Sequence, residues 1–422
     1  MPPRGHLPRS PADPALERDM DLLDTPGEAL FRAEARAWLR DHLAGEFACV
    51  AGAGGPGREH EDIEARLAWE RLLGEQGWSC LGWPSQWGGR GATIAEQVIW
   101  NEEYVAANAP ARLGVLGEGL LGPTLIAHGT EAQKRRFLAP IRLGRELWCQ
   151  GYSEPGAGSD LAGVTTRAVL EGDEWVITGQ KVWTSLAHLA DWCFVVCRTD
   201  PEAPRHRGLS YLLVPMDQPG ITVRPIYQMT GTSEFNEVFF DGARTPVEMV
   251  VGKVNGGWGV ALATLGYERG VAMLGHLLAF RRELEQVTEL ARRTGRAGNP
   301  VLRQRLARAW SGLMVMRWNT LRALPGIDSP GGAQASISKL FWASWHQELG
   351  ELSMDLLGAD ALAWLAPEPG SGSPVPSYPL RDLHRTFLFS RAETIYGGSN
   401  EIQRNVIGER ALGLPTEPKV GR

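Results

Sequence analysis

The chain has 422 residues, with 43 Lys and Arg against 49 Asp and Glu for a net charge of -6, and 43% of its residues are hydrophobic. That length can bury a sizeable core in two or three domains, and the apolar content is ordinary for a globular protein in water. The acidic balance offers no electrostatic footprint for nucleic acid or an anionic membrane surface, and no apolar run reaches membrane-spanning length.

Residues 1–20 are rich in Pro and Arg without the apolar centre of a secretory signal, and read as a disordered lead. Helical spacing begins at Thr25-Pro-Gly-Glu28, a capping box with proline at the first helical position, followed by Phe31, Ala35, Trp38 and Leu39. A glycine-rich break at 51–57 precedes a helix carrying Trp69, Leu72 and Leu73. A turn-dense connector, Gly77 to Gly91, follows, and then two further capping boxes, Thr93 to Glu96 and Thr130 to Gln133. The first block, residues 21–146, is therefore expected to be all-helical.

At about Leu147 the period changes from roughly 3.6 to 2. Thr165–Glu171 and Glu174–Thr178 flank Gly172-Asp173 as a hairpin, and Asp191–Cys197, Leu209–Pro215, Ile221–Gln228 and Phe235–Phe240 read as further strands. Residues 147–254 are expected to form an antiparallel β domain. The helical period returns after Gly256-Gly-Trp-Gly259 and holds through a block at 255–415, interrupted by a Pro/Gly/Ser-rich surface loop at Pro367–Pro379. Five cysteines, few and odd in number, suit a reducing compartment and a cytoplasmic location. Cys193 and Cys197 fall on one face of a strand and read as core. The histidines form no metal-spaced or nucleophile-paired cluster, so no metal site is expected.

The stretch most suited to holding a ligand is Tyr152-Ser-Glu-Pro-Gly-Ala-Gly-Ser-Asp160, where glycines allow close backbone approach and Ser153 and Ser159 offer hydroxyls. Its order of residues resembles the flavin loop of the acyl-CoA dehydrogenase family. The likeness extends over nearly the whole chain after residue 20, through Gly88-Gly-Arg-Gly91, Gly122 to Gly129, Gly179-Gln-Lys-Val-Trp-Thr-Ser185, Phe235 to Asp241, Glu268-Arg269 and Ile395-Tyr-Gly-Gly-Ser-Asn-Glu-Ile-Gln403. The resemblance implies an α+β fold in which an N-terminal helical domain and a C-terminal helical bundle enclose a middle β domain. It also implies an FAD-dependent enzyme that removes hydrogens from the α- and β-carbons of an acyl-CoA thioester and passes electrons to an electron-transfer flavoprotein. A homodimer or homotetramer is expected. Alternative readings are an acyl-CoA oxidase, a dehydrogenase of carrier-protein-bound acyl groups, or a flavin-stabilising, non-catalytic subunit of a heteromer.

Carried over position by position, the resemblance assigns flavin contacts to Gln150, Tyr152, Ser153, Trp183 and Ser185. Tyr152 stands where a smaller aliphatic residue is common. Ser159 would lie near the pyrophosphates of cofactor or CoA, and Ser399 and Glu401 near the ribityl and adenosine portions. The family's arginine that reaches a neighbouring subunit's flavin has its best candidate in Arg293, with Arg296 second, and Asp355 replaces a familiar glutamine. The C-terminal motif reads Ile395-Tyr-Gly-Gly398, with Gly397 at the place where many members carry the catalytic glutamate. The alternative family position, immediately before a retained arginine, is matched by Glu268-Arg269. Glu268 is therefore the expected base, with Arg269 and Gly397 on the substrate side.

Overall fold

The computed structural model describes residues 24–267, 272–323, 333–362 and 382–416. Among the described residues five helices come first: α1 (Pro26–His42), α2 (Ile63–Glu75), α3 (Ile94–Ala106), α4 (Gly122–His128) and α5 (Glu131–Arg142). All three predicted capping boxes form, with Thr25, Thr93 and Thr130 each accepting from the backbone N–H three residues on. Between α1, α2 and α3 lies an aromatic core of Trp38, Trp69, Trp78 and Trp100, in which Trp78 and Trp100 stack at 4.5 Å. This cluster accounts for a quarter of the sixteen tryptophans.

Just ahead of α4 the chain makes a π-helical turn, Gly117–Leu121. The turn is pinned by a part-buried ionic triad. Arg112 donates to Glu70 at 2.7 Å and to Glu118 at 2.6 Å, and the second oxygen of Glu118 accepts from the Cys80 amide at 2.6 Å.

The middle of the chain forms one seven-stranded sheet: β1 (Trp148–Gly151), β2 (Arg167–Glu171), β3 (Glu174–Ser185), β4 (Trp192–Arg198), β5 (Leu209–Pro215), β6 (Ile221–Ile226) and β7 (Phe235–Pro246). The order is β1-β4-β2-β3-β7-β6, with β5 on β4. Most pairings are antiparallel, as the alternating pattern implies. The exception that matters for the site is β1, which lies parallel to β4 with Gln150 opposite Phe194. Strand β4 is buried on both faces: Cys193, Val195 and Cys197 enter one cluster, Phe194 and Val196 the other.

Among the described residues six helices follow: α6 (Gly257–Tyr267), α7 (Ala272–Arg293), α8 (Pro300–Ala323), α9 (Ala333–Leu357), α10 (Asp382–Glu393) and α11 (Asn400–Val406). α6 packs on β5 and α4, so it belongs to the sheet's outer core. α7, α8 and α9 build a second core from Leu284, Val287, Leu313, Met316, Trp342 and Leu349, and α10 and α11 rest on α9. Among the described residues no helix is long and apolar enough to cross a membrane. The predicted loop Pro367–Pro379 lies outside the described residues, as does the lead at 1–20.

Candidate active site

The loop after β1 folds back on itself. Glu154 and Ala157 exchange backbone hydrogen bonds, both 3.0 Å, leaving Pro155 and Gly156 at the exposed tip. Beneath the tip the carboxylate of Glu154 is buried and accepts from the Thr165 amide (2.6 Å), the Thr165 hydroxyl (2.7 Å), the Thr166 amide (2.9 Å) and Lys181 Nζ (2.8 Å). Burial by itself would raise its pKa; the charge of Lys181 and these donors outweigh that and hold it at about 2. Lys181 has no exposed surface and directs its other two protons to the carbonyls of Tyr152 (3.0 Å) and Val196 (2.8 Å), so all three donors are used.

This pair fastens the loop to β3. The Val182 amide then donates to the Ser153 carbonyl at 2.9 Å, which brings Gln150 to Ser153 alongside Trp183 to Ser185. At that point β3 departs from regular pairing with β7, between Lys181 and Thr184. Trp183 adopts φ +60, a conformation that is uncommon for a bulky residue and needs support from its surroundings. Its indole stands 57% exposed, edge-on to Phe235 at 6.1 Å. Close by in the sheet, the amide nitrogen of Gln150 and the hydroxyl of Thr184 are buried with no protein hydrogen-bond partner among the described residues. Buried polar atoms are normally paired, so both are unusual; Gln150 is partly exposed as a residue, whereas Thr184 has no exposed surface.

Other predicted residues are placed as follows. The side chain of Tyr152 turns inward, 5% exposed, with its ring perpendicular to Phe194 and Tyr211; any part it takes in binding falls to its main chain. Ser185 is half-buried at the end of β3 and Ser159 is exposed beside Asp160, which pairs with Arg205. Gly397 and Gly398 lie at φ +62 and +83, the left-handed region in which only glycine is unstrained, and both carbonyls accept from Gln403 Nε2 at 3.1 and 3.2 Å. Ser399 caps α11 through the Ile402 amide, and Glu401 is exposed in its first turn. The C-terminal set is thus organised on α9 and the loop-strand set on the sheet. Arg293 is exposed at the end of α7. Arg296 is engaged: it donates to the Asp355 carbonyl at 2.5 Å and covers Gly358, where a Cβ would come within 2.2 Å of its guanidinium. Glu268 and Arg269 lie outside the described residues; α6 ends one residue earlier.

Lys181 and Glu154, whose ion pair fixes this loop, were not singled out from the sequence although both lie within its motifs. A signal existed. In β3, Trp175, Ile177 and Lys181 share the inward face, and a lysine on a buried face requires an acid partner.

With this geometry in place, the chain matches the acyl-CoA dehydrogenase N-terminal domain over residues 25–145, the middle domain over 149–243 and the C-terminal domain over 255–412. It belongs to the acyl-CoA dehydrogenase family, and is an oxidoreductase. Among its relatives, the acyl-CoA dehydrogenase IpdE1 of Mycobacterium tuberculosis is 57% identical over 391 residues, covering 92% of this chain and 98% of the relative. The IpdE1 of Mycolicibacterium smegmatis is 55% identical over 399 residues, covering 92% and 98%. Of solved structures, the Tcur3481-Tcur3483 steroid ACAD superposes with TM-score 0.79 at 34% identity, covering 94% of this chain and all of that one. The ChsE4-ChsE5 complex of Mycobacterium tuberculosis gives 0.77 at 32%, with the same coverage.

Proposed function

We propose that this chain catalyses FAD-dependent α,β-dehydrogenation of a bulky, ring-bearing acyl-CoA, of steroid type, to the trans-2-enoyl-CoA, with electrons passed to an electron-transfer flavoprotein. The observation that carries the cofactor reading is the exposed indole of Trp183 set next to the Gln150–Ser153 segment, which the bond from the Val182 amide to the Ser153 carbonyl holds against β3. A flat heteroaromatic group would lie against that indole, with the polar atoms at its edge meeting the loop. FAD, when bound there, would supply the two-electron acceptor for the hydrogen leaving the β-carbon.

The chain's own residues would divide the remaining work. Gln150, Ser153, Trp183 and Ser185 would hold the ring system, with Tyr152 contributing main chain only. Ser399 and Glu401 would meet the ribityl and adenosine portions, and Arg293 the cofactor of an adjoining subunit. Ser159 would lie near the pyrophosphates. Glu268 would take the α-proton, which next to a thioester is weakly acidic and needs a desolvated carboxylate. Arg269 would hold the substrate side of the site. The Gly397 amide would donate to the thioester carbonyl, where negative charge develops.

Two observations support a bulky substrate. Gly397 leaves empty the volume that a glutamate fills in many relatives, and a structural neighbour at 34% identity is a steroid ACAD. For assembly, a homo-oligomer is the first reading. A heteromer is the second reading, supported by the ChsE4-ChsE5 neighbour, which is a complex of two named components.

Anaerobic stopped-flow reduction of the bound flavin tests the proposal, with a steroid-carboxylate CoA thioester set against octanoyl-CoA. The parent should be reduced faster by the steroid thioester, and Glu268→Gln should retain flavin while its reduction falls by roughly two to four powers of ten. A folded protein that takes up no FAD refutes the cofactor reading. Undiminished reduction in Glu268→Gln refutes the base, and preference for octanoyl-CoA refutes the substrate class.

A further inference from the structure

The segment that carries Gly397 is anchored by side chains of α9 to which the proposed chemistry gives no part. Lys339, His346, Gln347 and Gly350 share one face of that helix and meet the end of α10. At Gly350 the two helices are closest: a Cβ there would stand 2.9 Å from the Phe387 Cα. Gln347 Nε2 donates to the Thr394 hydroxyl at 3.0 Å, and Lys339 Nζ to the Glu393 carbonyl at 2.5 Å. Beyond Thr394 the anchorage is passed along the chain. The Asn400 amide donates to the Thr394 carbonyl at 3.0 Å, and Gln403 closes on the carbonyls of Gly397 and Gly398. Where α9 holds Glu393 and Thr394 therefore decides where Gly397 lies.

His346 extends this anchorage to a third helix. Its Nδ1 is 2.7 Å from the carboxylate of Glu393 on α10, and its Nε2 is 2.5 Å from that of Glu283 on α7. A carboxylate only accepts, so both ring nitrogens carry protons and the imidazolium joins two acids on different helices. The ring is 4% exposed and is flanked by Phe280 of α7 at 4.3 Å, which keeps water from competing for these bonds. Apolar residues of similar volume could join the three helices without desolvating charge. The ionic bridge adds what they lack, a fixed spacing and direction.

We propose that His346 is a positioning residue for dehydrogenation: by bridging Glu283 and Glu393 it sets α7, which begins at Ala272 just after position 268, against the stem of the Gly397 segment. The base and the amide that receives the thioester carbonyl thereby keep their separation. His346 acts through the helices it joins and takes no proton from substrate. The inference rests on the proposed roles of Glu268 and Gly397.

Glu283→Leu removes one end of the bridge at similar volume, whereas Glu283→Gln keeps a carbonyl that accepts from Nε2. Hydrogen exchange followed by mass spectrometry on the purified, flavin-free full chain should show faster exchange in the peptide spanning 394–406 with leucine and parent-like exchange with glutamine, although the substitution lies on another element. In the FAD-loaded enzyme, flavin reduction at saturating steroid-carboxylate CoA thioester should fall about tenfold with leucine, short of the hundredfold that a displacement of ~1 Å can cost, and stay within about threefold with glutamine. Glu393→Leu should repeat the leucine result and serves in its place if that variant does not fold. Combining the two leucine substitutions should slow reduction no further than either alone, because both act through one ring. Leu352→Ala, a core truncation on α9, is the control for stability: it lowers Tm but should leave the limiting rate within about twofold of the parent. Equal behaviour of Glu283→Leu and Glu283→Gln in exchange and reduction overturns the positioning role, as does an equal loss of rate in Leu352→Ala. A parent that binds no FAD, or a Glu268→Gln variant reduced at the parent's rate, overturns the functional reading instead, since the exchange comparison needs neither flavin nor base.

Discussion

Lys181 has no exposed surface, and such a lysine persists only where its charge is matched and every donor is used. Glu154 and the carbonyls of Tyr152 and Val196 meet that demand, and in doing so they bind the loop of the candidate site to the strand that presents Trp183. The pair therefore couples stability to site geometry at single-residue scale. Glu154→Gln keeps size and most acceptors but leaves the lysine charge uncompensated, and should destabilise the chain by roughly 3–5 kcal/mol, read as a fall in Tm. The Glu154 carboxyl titrates at about 2 in the folded protein, below its ordinary value of 4.5. Its contribution is thus present above pH ~4.5 and is lost as pH falls through about 2. The Tm difference between parent and Glu154→Gln should be full at pH 7 and shrink below about pH 4; a difference that does not change with pH would show that the carboxylate charge is not its source.

At the scale of elements, what was legible in the sequence is what local chemistry determines. The capping boxes at Thr25, Thr93 and Thr130 needed only the residue three positions on, and each begins a helix. Strand β3 runs to Ser185, seven residues beyond the predicted Thr178, because the irregularity between Lys181 and Thr184 interrupts its period of 2. The parallel pairing of β1 with β4 and the meeting of four tryptophans in the first block join residues tens of positions apart, and no local pattern specifies them. The same is true of the junction of α7, α9 and α10. There His346, almost fully buried, contacts Glu393 at 2.7 Å and Glu283 at 2.5 Å, while Lys339 donates to the Glu393 carbonyl at 2.5 Å. Burial alone would lower the imidazole pKa, but the two carboxylates raise it to about 10. The charged histidine stabilises the bundle fully below its unfolded value near 6.5, and that contribution is lost as pH rises through about 10. Thermal unfolding of parent and His346→Gln at pH 6, 8 and 10 should show a gap that is widest at pH 6 and closes toward pH 10. A gap constant with pH would mean that the imidazole holds the helices by shape alone.

On the scale of the whole molecule, the described surface carries large exposed indoles on one helix. Helix α8 buries Leu313 and Met316 but presents Trp310 at 59% and Trp318 at 49% exposure on its outer side. Trp310 and Met314 border a groove of about 650 Å³ between α7 and α8, whose rim alternates Arg281, Arg292 and Arg317 with Glu102, Glu285 and Glu289. Large indoles gain little in water and much in a desolvated contact, and a rim of mixed sign suits a partner surface built in the same way. We propose this surface as the contact with a second copy of the chain. Removing an anchoring tryptophan from an interface typically costs about 2 kcal/mol or more, so Trp310→Glu combined with Trp318→Glu should dissociate the assembly at micromolar concentration. Because both indoles face outward, the circular dichroism of the separated chain should match the parent's. Light scattering on the chain alone, and again after co-expression with a second family member, reads the assembly directly. A parent that is monomeric under both conditions, yet holds FAD and turns over a steroid-carboxylate CoA thioester, would show that α8 needs no partner and that the exposed tryptophans serve another purpose.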